Sequence, residues 1–331
     1  MTTHHDVLVI GAGLAGAAAA ECLTDAGQRV IVLDKGRGPG GRLSTRRADG
    51  GAFDHGAAML QASSEAFRQW LAQRVALGVA ARWRDGWVGV PGMDALVAAA
   101  LAGATVRWQA PVASLRLASG GWQARDATGA LLAEAVRLIV AIPAPQAITV
   151  LRTSGQPALA PWIDALERVR YSPCWAGLFA VDDAGRPAST PVLDEAGTRP
   201  SGILEAVYRD ADKPGRADVG HWVVHATAEW SEAHLELPPD EATRLMLPAF
   251  LDASGREASQ VRSATAHRWR YARPSIGARI EACEGRDDLG VCLAGDAIGF
   301  EDGDGVPPAE RAWRSGRDAA LRVLAATQPK S

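Results

Sequence analysis

The sequence specifies an α/β protein with an α+β insertion, its first sheet largely parallel and its second mixed. Three observations carry this reading. Near the start, the branched apolar run Val7-Leu8-Val9-Ile10 is followed at once by Gly11-Ala12-Gly13-Leu14-Ala15-Gly16 and an alanine-rich stretch. Near the end, a second buried run, Leu289 to Ala294, stops at Gly295-Asp296. Between them, from about Ala147 to Ala264, the pattern changes to proline-punctuated helices and longer strands, as expected of a separate domain.

The first of these stretches reads strand, tight turn, helix. Gly27 closes the helix, and Arg29 to Leu33 forms a second buried strand that ends in Asp34, 18 residues beyond Gly16. This is a βαβ unit of the Rossmann-like, dinucleotide-binding kind. In such a unit Gly11 permits the turn, Gly13 lets a pyrophosphate approach the backbone, and Gly16 lets the helix pack closely on the strand. Asp34 is placed to accept from ribose hydroxyls. The next segment, Lys35-Gly36-Arg37-Gly38-Pro39-Gly40-Gly41-Arg42, is either an anion-binding nest that brings amides and cations to a diphosphate or a solvated loop.

Helical spacing recurs over Ser64 to Leu77, with Phe67, Trp70, Leu71 and Leu77 on the apolar side, and over Met93 to Leu101. Arg82-Trp83, Trp87-Val88 and Thr105 to Trp108 read as short strands around glycine turns. Val112 to Leu117, Gly121 to Asp126 and Ala135 to Val140 form a meander that ends in a buried strand. In the second domain, Tyr171 to Val181, Ser201 to Tyr208, His221 to Thr227 and Ala264 to Tyr271 are strands of one sheet, and Glu241 to Leu251 is a helix. The expected division is 1–62, 102–146 and 275–331 for the nucleotide domain, with 63–101 and 147–274 on the substrate side. The last helix, Ala309 to Ala326, starts after Pro307-Pro308, where proline is well tolerated.

Composition narrows the function. With 47% hydrophobic and 22% charged residues and a net charge of −3, the chain is neither disordered nor fibrous. Its basic residues are dispersed, which argues against nucleic acid as a partner. Cys22, Cys174, Cys283 and Cys292 never stand at Cys-x-x-Cys spacing, so buried free thiols are expected and no metal site. The apolar stretch from Val7 to Ala20 follows His4-His5-Asp6 and lacks the cationic start of a signal peptide. No run reaches the roughly 20 apolar residues a membrane helix needs. A cytoplasmic protein without membrane partners is the expectation.

Alternation places His267, Trp269 and Tyr271 on one face of their strand and Arg268 and Arg270 on the other. The first face is either core or the wall of a pocket, with His225 as a further wall residue. Lys213 and Arg216 flank a Pro-Gly turn, where they meet a phosphate or, in the preferred reading, solvent. Gly295-Asp296 is either an ordinary turn or a ligand contact, because a carboxylate binds sugar hydroxyls and glycine lets a ligand approach.

Gly40-Gly41-Arg42-Leu43-Ser44-Thr45-Arg46, followed by Gly51-Ala52-Phe53-Asp54-His55-Gly56-Ala57, resembles the cofactor-contacting start of the flavin amine oxidases. Within that superfamily the chain is most similar to the renalases. Supporting stretches are Trp87 to Met93, Ile142 to Ala147, Lys213 to Arg216, Trp222 to Thr227 and Ala266 to Pro274, in the family's order along nearly the whole chain. The resemblance implies a Rossmann-like FAD-binding domain with a second, mixed-sheet substrate domain, as in p-hydroxybenzoate hydroxylase-type flavoproteins. It implies FAD contacts at Gly11, Gly13, Gly16, Asp34, Lys35, Gly40, Gly41, Arg42, Gly56, Ala57, Val112, Gly295 and Asp296. It implies a substrate wall, and with it the catalytic set, at His225, His267, Trp269 and Tyr271.

The implied reaction oxidises isomeric dihydronicotinamides, 2- or 6-dihydro forms of NAD(P)H, to NAD(P)+, with oxygen as acceptor and hydrogen peroxide as product. Amine oxidation, or flavin binding without turnover, is the alternative. Only Lys35, Lys213 and Lys330 are available for the flavin-side lysine common among amine oxidases. Three features depart from the family. After Glu310 the chain has Arg311-Ala312 where the family usually has Gly-Ala, which sets an arginine where a flavin needs bare backbone; Met59 stands where the family tends to place an aromatic, and the loop Phe300 to Gly305 is longer and more acidic.

Overall fold

The computed structural model describes residues 5–182, 202–217, 219–276, 289–299 and 305–326. Loop residues 300–304, Cys283, Lys330, His4 and Ser201 lie outside them. A seven-stranded sheet is ordered Thr105–Arg107, Val30–Leu33, His5–Ile10 and Leu131–Val140, then Gly121–Arg125 and Ser114–Ala118. The strand Leu131–Val140 is long enough to serve two neighbours on its outer side. Its first half pairs antiparallel with Gly121–Arg125, and its last three residues pair parallel with Val291–Leu293.

Because this sheet is covered on both sides, its central strands are apolar at every position, and alternate residues enter different cores. Val7, Val9, Val30, Val32 and Ile139 face one core with the alanines of helix Leu14–Asp25 and Trp313 of helix Pro308–Ala325. Leu8, Ile10, Ile31, Leu33, Leu138 and Val140 face the other, under helices Ala144–Arg152 and Ala160–Leu166. The stretch 63–101, expected on the substrate side, packs into the first of these cores. Helix Glu65–Ala76, capped by Ser64 Oγ accepting from Phe67 N at 3.2 Å, buries Phe67 and Trp70 against Trp313. Apolar contact with the terminal helix is the reason.

The second sheet is ordered Leu204–Arg209, His221–Ala226, Arg170–Val181 and Val261–Ile276. All of its pairings are antiparallel, so parallel and antiparallel pairs mix only in the first sheet. One face is covered by helix Pro239–Ser254, where Phe250 stacks on Phe179 at 4.3 Å. The opposite face turns Ala176, Leu178 and Val223 toward Phe53 of the hairpin Arg46–Ala48/Gly51–Phe53. Cys174 and Cys292 are buried and in no disulfide, whereas Cys22 is half-buried, because its helix face is only partly covered. Among the described residues no helix is long and apolar enough to cross a membrane.

Candidate active site

A cavity of about 2510 Å³ lies between the two sheets. That exceeds the roughly 300–1,000 Å³ of a site for one drug-sized molecule, and leaves room for a dinucleotide and a substrate together. Gly11, Gly13, Asp34, Lys35, Gly40, Gly41, Arg42, Gly56, Ala57, Val112, Gly295 and Asp296 line it, as do His225, His267, Trp269 and Tyr271. Gly16 does not. A methyl group there would sit 1.9 Å from Gly11 O, so Gly16 serves the close packing of helix on turn.

The nucleotide end is built by two glycine-rich turns. Helix Leu14–Asp25 begins at Gly13 with no side-chain cap and no acid in its first turn. A Cβ added at Gly13 would meet nothing within 4 Å. Free amides, an uncompensated helix dipole and open space are what a diphosphate requires. Asp34 accepts from Ala12 N and Gly36 N, each at 2.6 Å, and so ties the first turn to the loop that starts at Lys35. These residues fit the nucleotide part of FAD.

Further along, Arg42 and Asp296, distant in sequence, form a bidentate pair with both contacts at 2.6 Å, and Arg42 also donates to Ala272 O at 3.0 Å. The Gly295 turn is clamped by the terminal helix: Gly295 N donates to Ser315 Oγ, which donates to Gly295 O, both at 2.9 Å. The intrusion expected of Arg311 does not occur. Its Nε donates to Val306 O at 2.9 Å, and the helix shows the cavity Ala309 and Ala312 instead. Met59 does line the cavity.

At the second sheet, strand Val261–Ile276 turns His267, Trp269 and Tyr271 toward the cavity side, while Arg270 pairs with Glu236 at 2.7 Å. The three converge with a residue that sequence reasoning left out of the site, His55. Trp269 Nε1 donates to His55 O at 2.7 Å, and the His267 ring meets the His55 ring edge-on at 4.8 Å. Tyr271 lies edge-on to Tyr171 at 5.4 Å. Burial, with Arg273 and Lys213 nearby, pushes His225 down to about 3. Burial, with His55 and Arg46, pushes His267 down to about 4, and burial also lowers His55. The histidines of this wall are therefore neutral at neutral pH, although Arg46, Arg268, Arg273 and Glu205 also border the cavity.

Lys213 and Arg216, expected in solvent, are buried. Lys213 Nζ lies 3.0 Å from Asp54 Oδ2 and is also paired with Asp210, and Arg216 Nη2 lies 2.5 Å from Asp54 Oδ2. Asp54 N donates to Asp210 Oδ2 at 2.6 Å, and Thr45 Oγ1 donates to Asp54 Oδ1 at 2.7 Å. Burial alone would raise Asp54, but Lys213 and Arg216 hold it at about 2. The reason for the difference is complementarity across the molecule: each cation is matched by an acid more than 150 positions away or in the next turn. The only local trace of this was the i,i+3 spacing of Asp210 and Lys213.

A βαβ dinucleotide site facing a largely aromatic wall across one cavity is the arrangement of a flavoprotein oxidoreductase. A profile described as NAD(P)-binding Rossmann-like domain matches residues 9–74, and one described as flavin containing amine oxidoreductase matches residues 79–324. The chain belongs to the flavin containing amine oxidoreductase family, and FAD is its cofactor. A 50-residue stretch is 48% identical to lysine-specific histone demethylase 1 homolog 3 of Oryza sativa subsp. indica, covering 15% of this chain and 6% of that protein's length. Among solved structures, putrescine oxidase bound to putrescine aligns over 98% of this chain and 100% of its own, with a TM-score of 0.65 and 16% identity. An oxidoreductase from Methanosarcina mazei aligns over 96% and 100%, with a TM-score of 0.64 and 14% identity. At such identities the likeness is one of fold.

Proposed function

We propose that this FAD-dependent oxidoreductase is renalase-like. It oxidises 2- or 6-dihydro isomers of NAD(P)H to NAD(P)+, and oxygen takes the electrons to give hydrogen peroxide, in the cytoplasm. The observation that carries the reading is the character of the substrate wall. His225, His267, Trp269 and Tyr271 present flat, neutral surfaces suited to a dihydropyridine ring. Among the described residues, Lys35 of the nucleotide loop is the one lysine on the cavity, and Lys213 is committed to Asp54 and Asp210.

Bound FAD supplies a two-electron acceptor, and the protein's share is to place the donor carbon and exclude competing reactions. Loss of hydride from a dihydropyridine leaves an aromatic cation and releases no proton, so the wall histidines need carry none. Hydride, one solvent proton and one oxygen molecule balance as hydrogen peroxide. In this reading Gly11, Gly13, Gly40 and Gly41 bring main-chain amides to the diphosphate, and Asp34 and Lys35 hold the adenosine side with Val112. Arg42, Gly295 and Asp296 would hold the ribityl or diphosphate part of FAD, and Gly56 and Ala57, which also line the cavity, would contact the cofactor. We assign the nucleotide domain to 1–62, 102–146 and 275–331 and the substrate side to the remainder. On this division the seam runs through the core that 63–101 shares with Leu14–Asp25 and Pro308–Ala325.

The family to which the chain belongs, and its likeness to putrescine oxidase, favour amine oxidation as the second reading. One anaerobic experiment separates them: visible flavin absorbance is followed while mixed dihydro-NAD isomers, pure NADH and a panel of amines are added in turn. The expected result is rapid bleaching by the isomer mixture, with pure NADH at least a hundredfold slower. Bleaching by an amine alone would move the protein to the amine oxidases.

A further inference from the structure

Tyr171 stands near the start of strand Arg170–Val181 in the second sheet, yet its side chain reaches the nucleotide half of the molecule. Ala144 N, at the start of helix Ala144–Arg152, donates to Tyr171 Oη at 3.1 Å. A backbone N–H only donates, so the phenol oxygen is the acceptor in this bond and its own proton is directed elsewhere. Among the described residues none accepts that proton, and both oxygens of the nearby acid Asp296 are engaged by Arg42 at 2.6 Å. Tyrosine hydroxyls withdrawn from bulk water usually find a partner.

The position of the hydroxyl follows from the parallel part of the first sheet. His5–Ile10, Leu131–Val140 and Val291–Leu293 run side by side, with Ile10 level with Val140 and Val140 level with Leu293. Their ends therefore open in a row: the Gly11 turn, the turn 141–143 that leads into Ala144, and the Gly295-Asp296 turn. The middle turn is close to the first, since a methyl group on Gly11 would sit 2.5 Å from Ala141 O. On its other side Ala294 N donates to Val140 O at 2.9 Å. Ligands of open parallel sheets bind in the crevice outside these carboxyl ends. Tyr171 and Ala144 both line the cavity there, with Gly11, Arg42 and Asp296.

On one side of Tyr171 are the amides of the Gly11–Gly13 turn, suited to a diphosphate, and on the other is the Arg42–Asp296 pair. The part of FAD that spans such a distance is its diphosphate–ribityl segment, which offers oxygen acceptors along its length. Burial and the Asp296 carboxylate push Tyr171 up to about 12, which keeps the hydroxyl protonated at neutral pH. Its ring is held edge-on to Tyr271 at 5.4 Å. We propose that Tyr171 is a cofactor-binding residue supplied by the second sheet, its hydroxyl donating to an oxygen of the FAD diphosphate–ribityl segment while it accepts from Ala144 N. Bound FAD then fastens the second sheet to the first at this point. The assignment goes beyond the choice of substrate and holds for a dihydronicotinamide or an amine alike.

The test is a titration of the flavin-free protein with FAD, read by quenching of flavin fluorescence, together with thermal melts with and without FAD. Tyr171→Phe keeps the ring against Tyr271 and removes only the hydroxyl. It is expected to weaken FAD binding roughly tenfold or more, as loss of a hydrogen bond to a charged or polar oxygen does. The rise in melting temperature at a fixed FAD concentration should shrink with it, since that rise follows affinity. Ala144→Pro, a replacement well tolerated at a first helical position, removes the amide and keeps the hydroxyl, and its FAD affinity is expected to stay within about threefold of wild type. Wild-type affinity in Tyr171→Phe overturns the assignment, whether or not Ala144→Pro folds. Equal weakening in the two variants also overturns it, because Tyr171 would then act only through the start of the helix.

Discussion

Gly13 and Gly16 stand in one motif and do different work, which makes them separable by substitution. A methyl group at Gly16 collides with Gly11 O at 1.9 Å, whereas at Gly13 it enters the open cavity. Gly16→Ala is expected to destabilise the protein by about 1–3 kcal/mol even without FAD, as overpacking does. Gly13→Ala should leave the melting temperature of the FAD-free protein unchanged and weaken FAD binding at least tenfold. Thermal melts of both forms and flavin-to-protein ratios check the pair, and equal loss of stability in the two variants would refute the division of roles. This half of the site was readable in advance, because glycine spacing and a terminal acid are local signals. His55 was not, because what marks it is a carbonyl that takes the Trp269 indole from 214 positions away. Lys213 and Arg216 were placed in solvent for the same reason, since a buried cation looks like a surface one until its partner is found.

Strands and helices with strong periodicity were legible to within a few residues, as the alternation of His267, Trp269 and Tyr271 and the helix over Glu65–Ala76 illustrate. Which core an element joins was less so, and 63–101 is the instance. Its amphipathic helix fits any apolar partner, and the choice is made by Trp313 and by Glu310. Glu310 is fully buried in the first turn of the terminal helix and accepts from Ser63 N at 2.6 Å, Ser63 Oγ at 3.0 Å and Ser64 N at 3.1 Å, with Arg314 as ion partner. Glu310→Ala orphans those amides and is expected to cost about 2–3 kcal/mol, the upper range for unsatisfied buried groups. Chemical denaturation reads the loss. Amide exchange should show it as faster opening of both Glu65–Ala76 and Pro308–Ala325, and fraying of the terminal helix alone would contradict the anchor.

The hairpin Arg46–Ala48/Gly51–Phe53 is tied to the second sheet by buried charge at Asp54, Lys213, Arg216 and Asp210, with neutral histidines nearby. These groups set the response of the whole protein to acid. His225 has a folded pKa of about 3 against 6.5 unfolded. Below pH 6.5 the unfolded chain therefore takes up a proton that the folded one refuses, and stability falls as pH drops toward 3. From pH 7.5 to 5.5 His225 alone removes about 1.4 kcal/mol. His55 and His267 add to the loss with the same sign, the more exposed His267 less so. Asp54, held at about 2, contributes stability that goes only as pH falls from 3.8 toward 2, below this window. Urea denaturation at fixed ionic strength should show the drop between pH 7.5 and 5.5, smaller in His225→Gln. A flat profile would mean the imidazoles are not held neutral by the fold.

The pairing of Arg42 with Asp296 and the clamp of Ser315 on Gly295 also set a timetable for synthesis. The first glycine turns leave the ribosome ahead of the carboxylate that meets Arg42, which lies 254 residues further along, and of the helix that secures it. At about 5–20 residues per second, the interval is on the order of ten seconds or more. During it the nascent chain carries a nucleotide fingerprint with only half a receptacle, and Arg42 lacks its partner. A product interrupted before Asp296 would have most of its first sheet but leave Arg42 without its partner, and is expected to emerge colourless.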